Sequence, residues 1–235
     1  MPQVDTCHTS SLQPDQCRAM GEADEHPTPR IVIVGYGGSS RSVQKAFEHL
    51  GVNTSITLDC DAIRTADGII FPGGLAFSGA IGALRDADLS GVLKDALKTR
   101  TSVLGIGVGM QLFYEQSSEH GNTPGLGLLA GKVERLSSTA DHKVPHKAWK
   151  PVAWRRKSPL NEGLDDACEF YHGHSYAVVP EDDSEILATA EHGEEFVTAV
   201  QRGTLYGVQF HPESSRLYPG VHLLENFARR CIRPA

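Results

Sequence analysis

Three short apolar, β-branched runs, each leading straight into glycine, govern what this chain can become. They are Ile31–Val34 before Gly35, the DGIIF stretch before Pro72-Gly73-Gly74, and Ser102–Ile106 before Gly107. Four or five apolar residues without polar alternation need burial on both faces, which is the situation of a strand inside a parallel sheet. Helical periods fill the gaps between them. Val43, Ala46, Phe47 and Leu50 recur at i, i+3, i+4 and i+7, with Gly51 placed as a C-terminal cap. Leu89, Val92, Leu93, Ala96 and Leu97 form a second stripe, and a third helix is expected from Met110 to Gln116. This alternation specifies an α/β fold with a central, mostly parallel sheet flanked by helices.

Beyond about residue 130 short strand-like runs dominate, at 132–136, 169–171, 186–190, 196–200 and 205–208. Turn residues separate them, so antiparallel additions to the sheet are expected in the C-terminal half. Val221, Leu224, Phe227 and Ala228 close the chain on an amphipathic helix. One domain over residues 30–235 accounts for the pattern, and residues 1–29, polar and without a hydrophobic period, are expected to be a disordered tail.

The bulk numbers exclude several classes. A formal charge of −7 and no basic block leave nucleic-acid binding without its electrostatic term. No apolar run reaches the ~18 residues of a membrane span. The five cysteines, Cys7, Cys17, Cys60, Cys168 and Cys231, are odd in number and contain no C-x-x-C pair, so neither a disulfide framework nor a zinc site is expected. Cys7, His8, Cys17 and His26 in the tail fit no zinc spacing either. No metal and no cofactor are expected, and with no secretory leader the expected location is the cytoplasm.

Ligands of open α/β sheets bind beyond the carboxyl ends of the strands. The loops at 35–40, 72–77 and 107–109 leave such ends, and YGVQFHPESS ends a late run in His211-Pro212-Glu213. A carboxylate beside an imidazole fixes its tautomer and stabilises its charged form, as a general base requires. Glycines at 105, 107 and 109 permit the sharp strand-to-helix corner of a nucleophile elbow, followed by helical N–H groups that favour an anion. The FPGG stretch could turn a backbone N–H towards a developing oxyanion. Each signal alone is weak, because tight β-α turns favour glycine and His-x-Glu occurs on ordinary surfaces. The elbow apex should carry serine or cysteine, and it is Gly107.

Taken together these residues resemble class I (triad) glutamine amidotransferases and, within them, the glutaminase subunits of imidazole glycerol phosphate synthases. The family elbow G-[IV]-C-L-G-M-Q-L is matched by Gly105-Ile106-Gly107-Val108-Gly109-Met110-Gln111-Leu112, and G-V-Q-F-H-P-E is intact at 207–213. RSVQKAFEHLG, GLGLLAGKVERL, KVPHKAW, SPL, GHSY and LLENF follow in the family's order. The resemblance implies a cysteine nucleophile at position 107, His211 as general base and Glu213 as its orienter. It implies an oxyanion hole from Gly73, Gly74 and Val108, and contacts to substrate glutamine from Gln111, Glu119, His174, Ser175 and Tyr176. It also implies a partner, a (β/α)₈-barrel synthase or cyclase subunit that receives ammonia and is faced by Tyr171 and the KVPHKAW loop.

Departures accompany the likeness. Glycine has no nucleophilic atom, so the chain as written is expected to have negligible glutaminase activity. The family's D-Y-G-x-G-N-L-R-S-V is GYGGSSRSV here, P-G-V-G-A-F is PGGLAF, and P-H-x-G-W-N is PHKAWK, with Lys150 in place of Asn. Such changes together favour a divergent natural relative over a laboratory substitution. Three functions remain open: a glutaminase subunit lacking its thiol, a pseudo-glutaminase that supports a synthase or binds a small molecule, and a pocket in which His211 acts on another acyl substrate.

Overall fold

In the computed structural model, which describes residues 28–214 and 218–232, strands and helices alternate through the first half. The order is β1 (Ile31–Val34), α1 (Ser40–His49), β2 (Thr54–Thr57), α2 (Cys60–Arg64), β3 (Gly68–Phe71), α3 (Phe77–Asp86), α4 (Leu89–Lys98), β4 (Ser102–Ile106) and α5 (Val108–Gln111). The second half runs β5 (Gln116–Ser117), β6 (Thr123–Pro124), β7 (Gly131–Arg135), β8 (His146–Pro151), β9 (Ala153–Trp154), β10 (Glu169–His174), β11 (Tyr176–Pro180), β12 (Ile186–Glu191), β13 (Glu195–Arg202), β14 (Leu205–Val208) and α6 (Gly220–Cys231). Cys7, His8, Cys17 and His26, with nearly all of the expected tail, lie outside the described residues.

The main sheet has the order β2-β1-β3-β4-β14-β13-β11-β7-β5-β6, with β12 and β9 attached beside β13. From β2 to β14 the pairing is parallel, and β13 with its neighbours is antiparallel. Strand alternation feeds two cores. Val32, Val34, Ile69, Phe71 and Val103 pack with residues of α2, α3 and α4, whereas Ile31, Ile33, Ile70 and Leu104 pack with Val43 and Phe47 of α1 and with Leu223, Leu224 and Phe227 of α6. Each buried Phe or Leu contributes about 2–3 kcal/mol of transfer free energy, so helices cover both faces of the parallel half. A separate hairpin-like sheet, β8 with β10, stands beside the main one. Among the described residues no helix is long and apolar enough to cross a membrane.

One expectation needs correction. The helix expected from Met110 to Gln116 stops at Gln111. The carbonyls of Leu112, Phe113 and Tyr114 accept instead from N–H groups of Leu126, Leu128, Leu129 and Gly127, so the chain turns inward and Gln116 joins β5. The run at 205–208 is antiparallel to β13, as expected of the C-terminal half, and on its other side β14 lies parallel to β4, which joins the two halves of the sheet. The sequence reading also passed over β2 and β8, an edge strand and a hairpin strand with little burial, and α3, whose Phe77, Ala80, Ile81 and Leu84 recur at i, i+3, i+4 and i+7 and are buried.

Candidate active site

The carboxyl ends of β1, β3, β4 and β14 open at one rim, and the loops expected to meet there do. Gly107 forms the corner between β4 and α5 at φ 57°, ψ −118°, and its N–H donates to Val208 O at 2.7 Å. The three elbow glycines have different reasons to be glycine. A Cβ on Gly105 would stand 2.5 Å from Met110 N, and one on Gly109 only 2.1 Å from Phe71 O. Both admit the close approach of backbones and nothing more. A Cβ on Gly107 would instead meet His211 Cε1 at 3.3 Å, His211 Nε2 at 3.6 Å and Gly73 Cα at 3.7 Å. A side chain there fits in space and faces the imidazole, at the cost of a left-handed backbone, about 1–3 kcal/mol. Such strain is the usual condition of a nucleophile elbow.

His211 and Glu213 meet as expected but by another route. Pro212–Ser214 is a turn of 3₁₀ helix rather than extended chain, and it brings His211 Nδ1 within 2.9 Å of Glu213 Oε1. The backbone is pinned by His211 N–H donating to Tyr171 O at 2.9 Å. Burial opposes charge on the His211 ring, but the hydrogen bond and the charge of Glu213 together outweigh it, and the pKa is raised. With Nδ1–H directed at the carboxylate, Nε2 is the free lone pair, and it is the nitrogen near the Gly107 apex.

A cleft of about 340 Å³ joins these walls, lined among others by Gly74, Gly107, Val108, Gln111, His174 and His211. Glu119, Ser175, Tyr176 and Gln209 border it as well. Gly73 abuts the apex through its Cα. Val108 opens α5, where N–H groups have no intrahelical acceptor. Gln111 Nε2 donates to Tyr176 O at 3.0 Å and to Gln209 Oε1 at 2.9 Å; Glu119 Oε2 accepts from Phe77 N–H at 2.6 Å. Of the residues named from the sequence, Gly74, Gly107, Val108, Gln111, Glu119, His174, Ser175, Tyr176 and His211 line this cleft, while Glu213 is bonded to His211 and Gly73 stands against the apex.

The chain's sequence matches the glutamine amidotransferase class I profile over residues 32–231. The chain belongs to the class I glutamine amidotransferase family. It is 42% identical over 206 residues to the imidazole glycerol phosphate synthase subunit HisH of Rhodopirellula baltica, covering 87% of this chain and 100% of that one. It is 40% identical over 198 residues to the HisH subunit of Moorella thermoacetica, covering 84% and 93%. Among solved structures, PurLQS from Thermotoga maritima superposes with a TM-score of 0.66 at 19% identity, over 86% of this chain and 98% of that one, a likeness of fold.

In this amidotransferase fold the floor behind the cleft is built from histidines that sequence reading did not single out as a group. His146 and His172 stack at 5.2 Å, His146 and His174 meet at 5.3 Å, and His146 also stacks on His192 at 4.1 Å. His172 Nε2 pairs with Thr198 Oγ1 at 2.8 Å, and His174 Nδ1 with the Tyr176 carbonyl at 2.9 Å. Burial holds His146, His172 and His174 neutral: desolvation, then neighbouring His192 and Lys150, brings His146 down to about 4. Desolvation first, with His146 next, brings His172 down to about 3, and the His174 pKa is also lowered by burial. Gln209 was missed too. Its signal was present, a lone amide inside the apolar YGVQF run.

Proposed function

We propose that this chain is a glutaminase-type subunit of an amidotransferase whose pocket is assembled but whose nucleophile position holds glycine. Gly107 carries the reading: of the elbow glycines, it is the one at which a side chain would fit and would face His211 Nε2. With cysteine at that position the chemistry follows from the surrounding groups. His211 takes the thiol proton, the thiolate attacks the side-chain amide carbon of glutamine, and N–H groups of Gly73, Gly74 and Val108 receive the oxyanion. The proton then passes from His211 to the departing nitrogen, ammonia leaves, and water hydrolyses the glutamyl thioester. Gln111, Glu119, His174, Ser175 and Tyr176 hold the α-amino and α-carboxylate ends. As written, the chain lacks the sulfur and forms no thioester.

The partner in this reading is a (β/α)₈-barrel synthase subunit, in keeping with relatives named as synthase subunits. The surface to meet it carries Trp149, 47% exposed, against Tyr171 at 5.8 Å between ring centroids. Free thiols at Cys60 and Cys168 suit the cytoplasm. The test is Gly107→Cys in the presence of a barrel-type synthase subunit that the chain binds. Ammonia release from glutamine supports the reading; a folded, partner-bound and inactive variant refutes it. The altered 35–40 loop, together with Gly107, favours a second reading, a pseudo-glutaminase that holds the synthase active or binds a small molecule. That reading predicts that the natural chain raises the partner's ammonia-dependent turnover without glutamine.

A further inference from the structure

The loop between β1 and α1 is one of the places where this chain departs from its family's pattern, and it also grips the β3–α3 segment. Tyr36 is buried, and its hydroxyl donates to Pro72 O at 2.6 Å. The next carbonyl, Gly73 O, accepts from Ser39 N–H at 2.8 Å and lies 3.3 Å from Ser39 Oγ. The two backbones touch: a Cβ on Gly38 would stand 2.1 Å from Gly73 O, and one on Gly74 would stand 3.1 Å from Ser39 N. Two successive peptide planes are therefore fixed from one side. Neither peptide is cis, and in a trans peptide the N–H points opposite to the carbonyl. With Gly73 O turned to Ser39, the N–H of Gly74 is turned away from that loop, and Gly74 itself lines the cleft with Gly107, Val108 and His211.

We propose that Tyr36 and Ser39 are positioning residues: they clamp the Pro72 and Gly73 carbonyls so that Gly74 N–H is presented to the side-chain carbonyl oxygen of an amide bound over Gly107. The proposal rests on the reading of the cleft as a glutamine pocket. It gives the divergent GYGGSS loop a task. The family's Asp and Asn are gone from it, yet a tyrosine hydroxyl and a serine N–H supply the donors that set the oxyanion segment. Burial raises the Tyr36 pKa well above its usual value, so the donor stays protonated and the clamp does not titrate in the working range. A merely packing role for the loop would leave Gly74 free to turn, and ligand would not report on Tyr36.

The test uses the natural full chain, isotopically labelled, titrated with L-glutamine and followed by amide resonances. Gly74 is expected to show a large downfield proton shift on saturation, alongside movement of Gln111 and Tyr176. In Tyr36→Phe/Ser39→Pro, which removes both the hydroxyl and the Ser39 N–H, the Gly74 shift is lost, the Gln111 and Tyr176 shifts persist, and affinity weakens by no more than about threefold. Ser39→Ala alone keeps the 2.8 Å N–H bond to Gly73 O and so keeps the shift, and the spectra themselves report folding. In the Gly107→Cys background, Tyr36→Phe lowers kcat about tenfold with KM unchanged. A Gly74 amide that stays still while Gln111 and Tyr176 move, or one that shifts fully in the double variant, overturns the clamp. If no pocket resonance moves, the glutamine reading fails and the clamp falls with it.

Discussion

The two walls of the cleft have kept different things. On the β4–α5 wall there is a sharp corner with N–H groups free at the start of α5 and a left-handed apex, but the apex is glycine and carries no side chain. On the β14 wall both shape and chemistry are present, with His211 and Glu213 bonded at 2.9 Å and the imidazole pKa raised. A carboxylate within two residues of the histidine sustains that couple locally. In the proposed reading the nucleophile position depends on one side chain, so its neighbours keep their places with glycine there. The contrast teaches that the geometry of a corner and the reactivity proposed for it are separable and can be tested apart.

The comparison breaks if the intact wall is inert once the empty one is refilled. In a Gly107→Cys protein, His211→Ala should cost roughly 10³-fold or more in kcat/KM, because the base and the nucleophile act as a unit. A His211→Ala variant as active as its parent would show that the couple is ornamental. In the same background Glu213→Gln should cost on the order of 10²–10⁴-fold in kcat. It should also move the acid limb of the rate profile to lower pH. The sign follows from His211 having to be neutral to accept a proton: Glu213 raises its pKa, so removing the charge lets the ring stay neutral in more acid solution. An acid limb that does not move would mean that another group titrates.

The elbow wall is sharpened by stability. Gly109→Ala forces a methyl to 2.1 Å from Phe71 O and should cost about 3 kcal/mol or more in urea unfolding. Gly107→Ala, with its nearest neighbour at 3.3 Å, should cost only about 1–3 kcal/mol of backbone strain. Equal losses would remove the distinction between a corner glycine and a vacated site. The smallest effect tests the floor against His211. His146 is held neutral with its pKa at about 4, so its contribution to stability is complete above the unfolded value and is lost as pH falls from there towards 4. At pH 5 unfolding takes up about 0.9 proton at this ring. His146→Phe should flatten the pH dependence of stability by that amount, and an unchanged slope would contradict the burial argument.

Much of this was legible because the sequence states it twice. Apolar runs such as IVIV and SVLGI announce strands by burial and their loops by glycine, and the strand ends fix where a ligand sits. HPE adds the couple, and the elbow pattern adds its opposite. What was not legible has a common cause, since it depends on partners distant in the chain. The helix after Gly107 ends at Gln111 because loop 125–129 captures its carbonyls. β14 enters the sheet centre because it pairs with β4 across a hundred residues. The histidine floor joins β8, β10 and the β12–β13 turn, a meeting that no local period encodes. Tyr36 and Ser39 read as an ordinary glycine-rich loop until the two carbonyls they hold came into view.

Calorimetry of the chain with glycine at position 107 and L-glutamine, paired with an ammonia assay on the same samples, tests the central claim most directly. The account predicts saturable binding and no ammonia, the behaviour of a complete pocket without its sulfur. Absence of binding, with or without the synthase partner, would contradict it, as would ammonia release from a chain that has glycine at position 107.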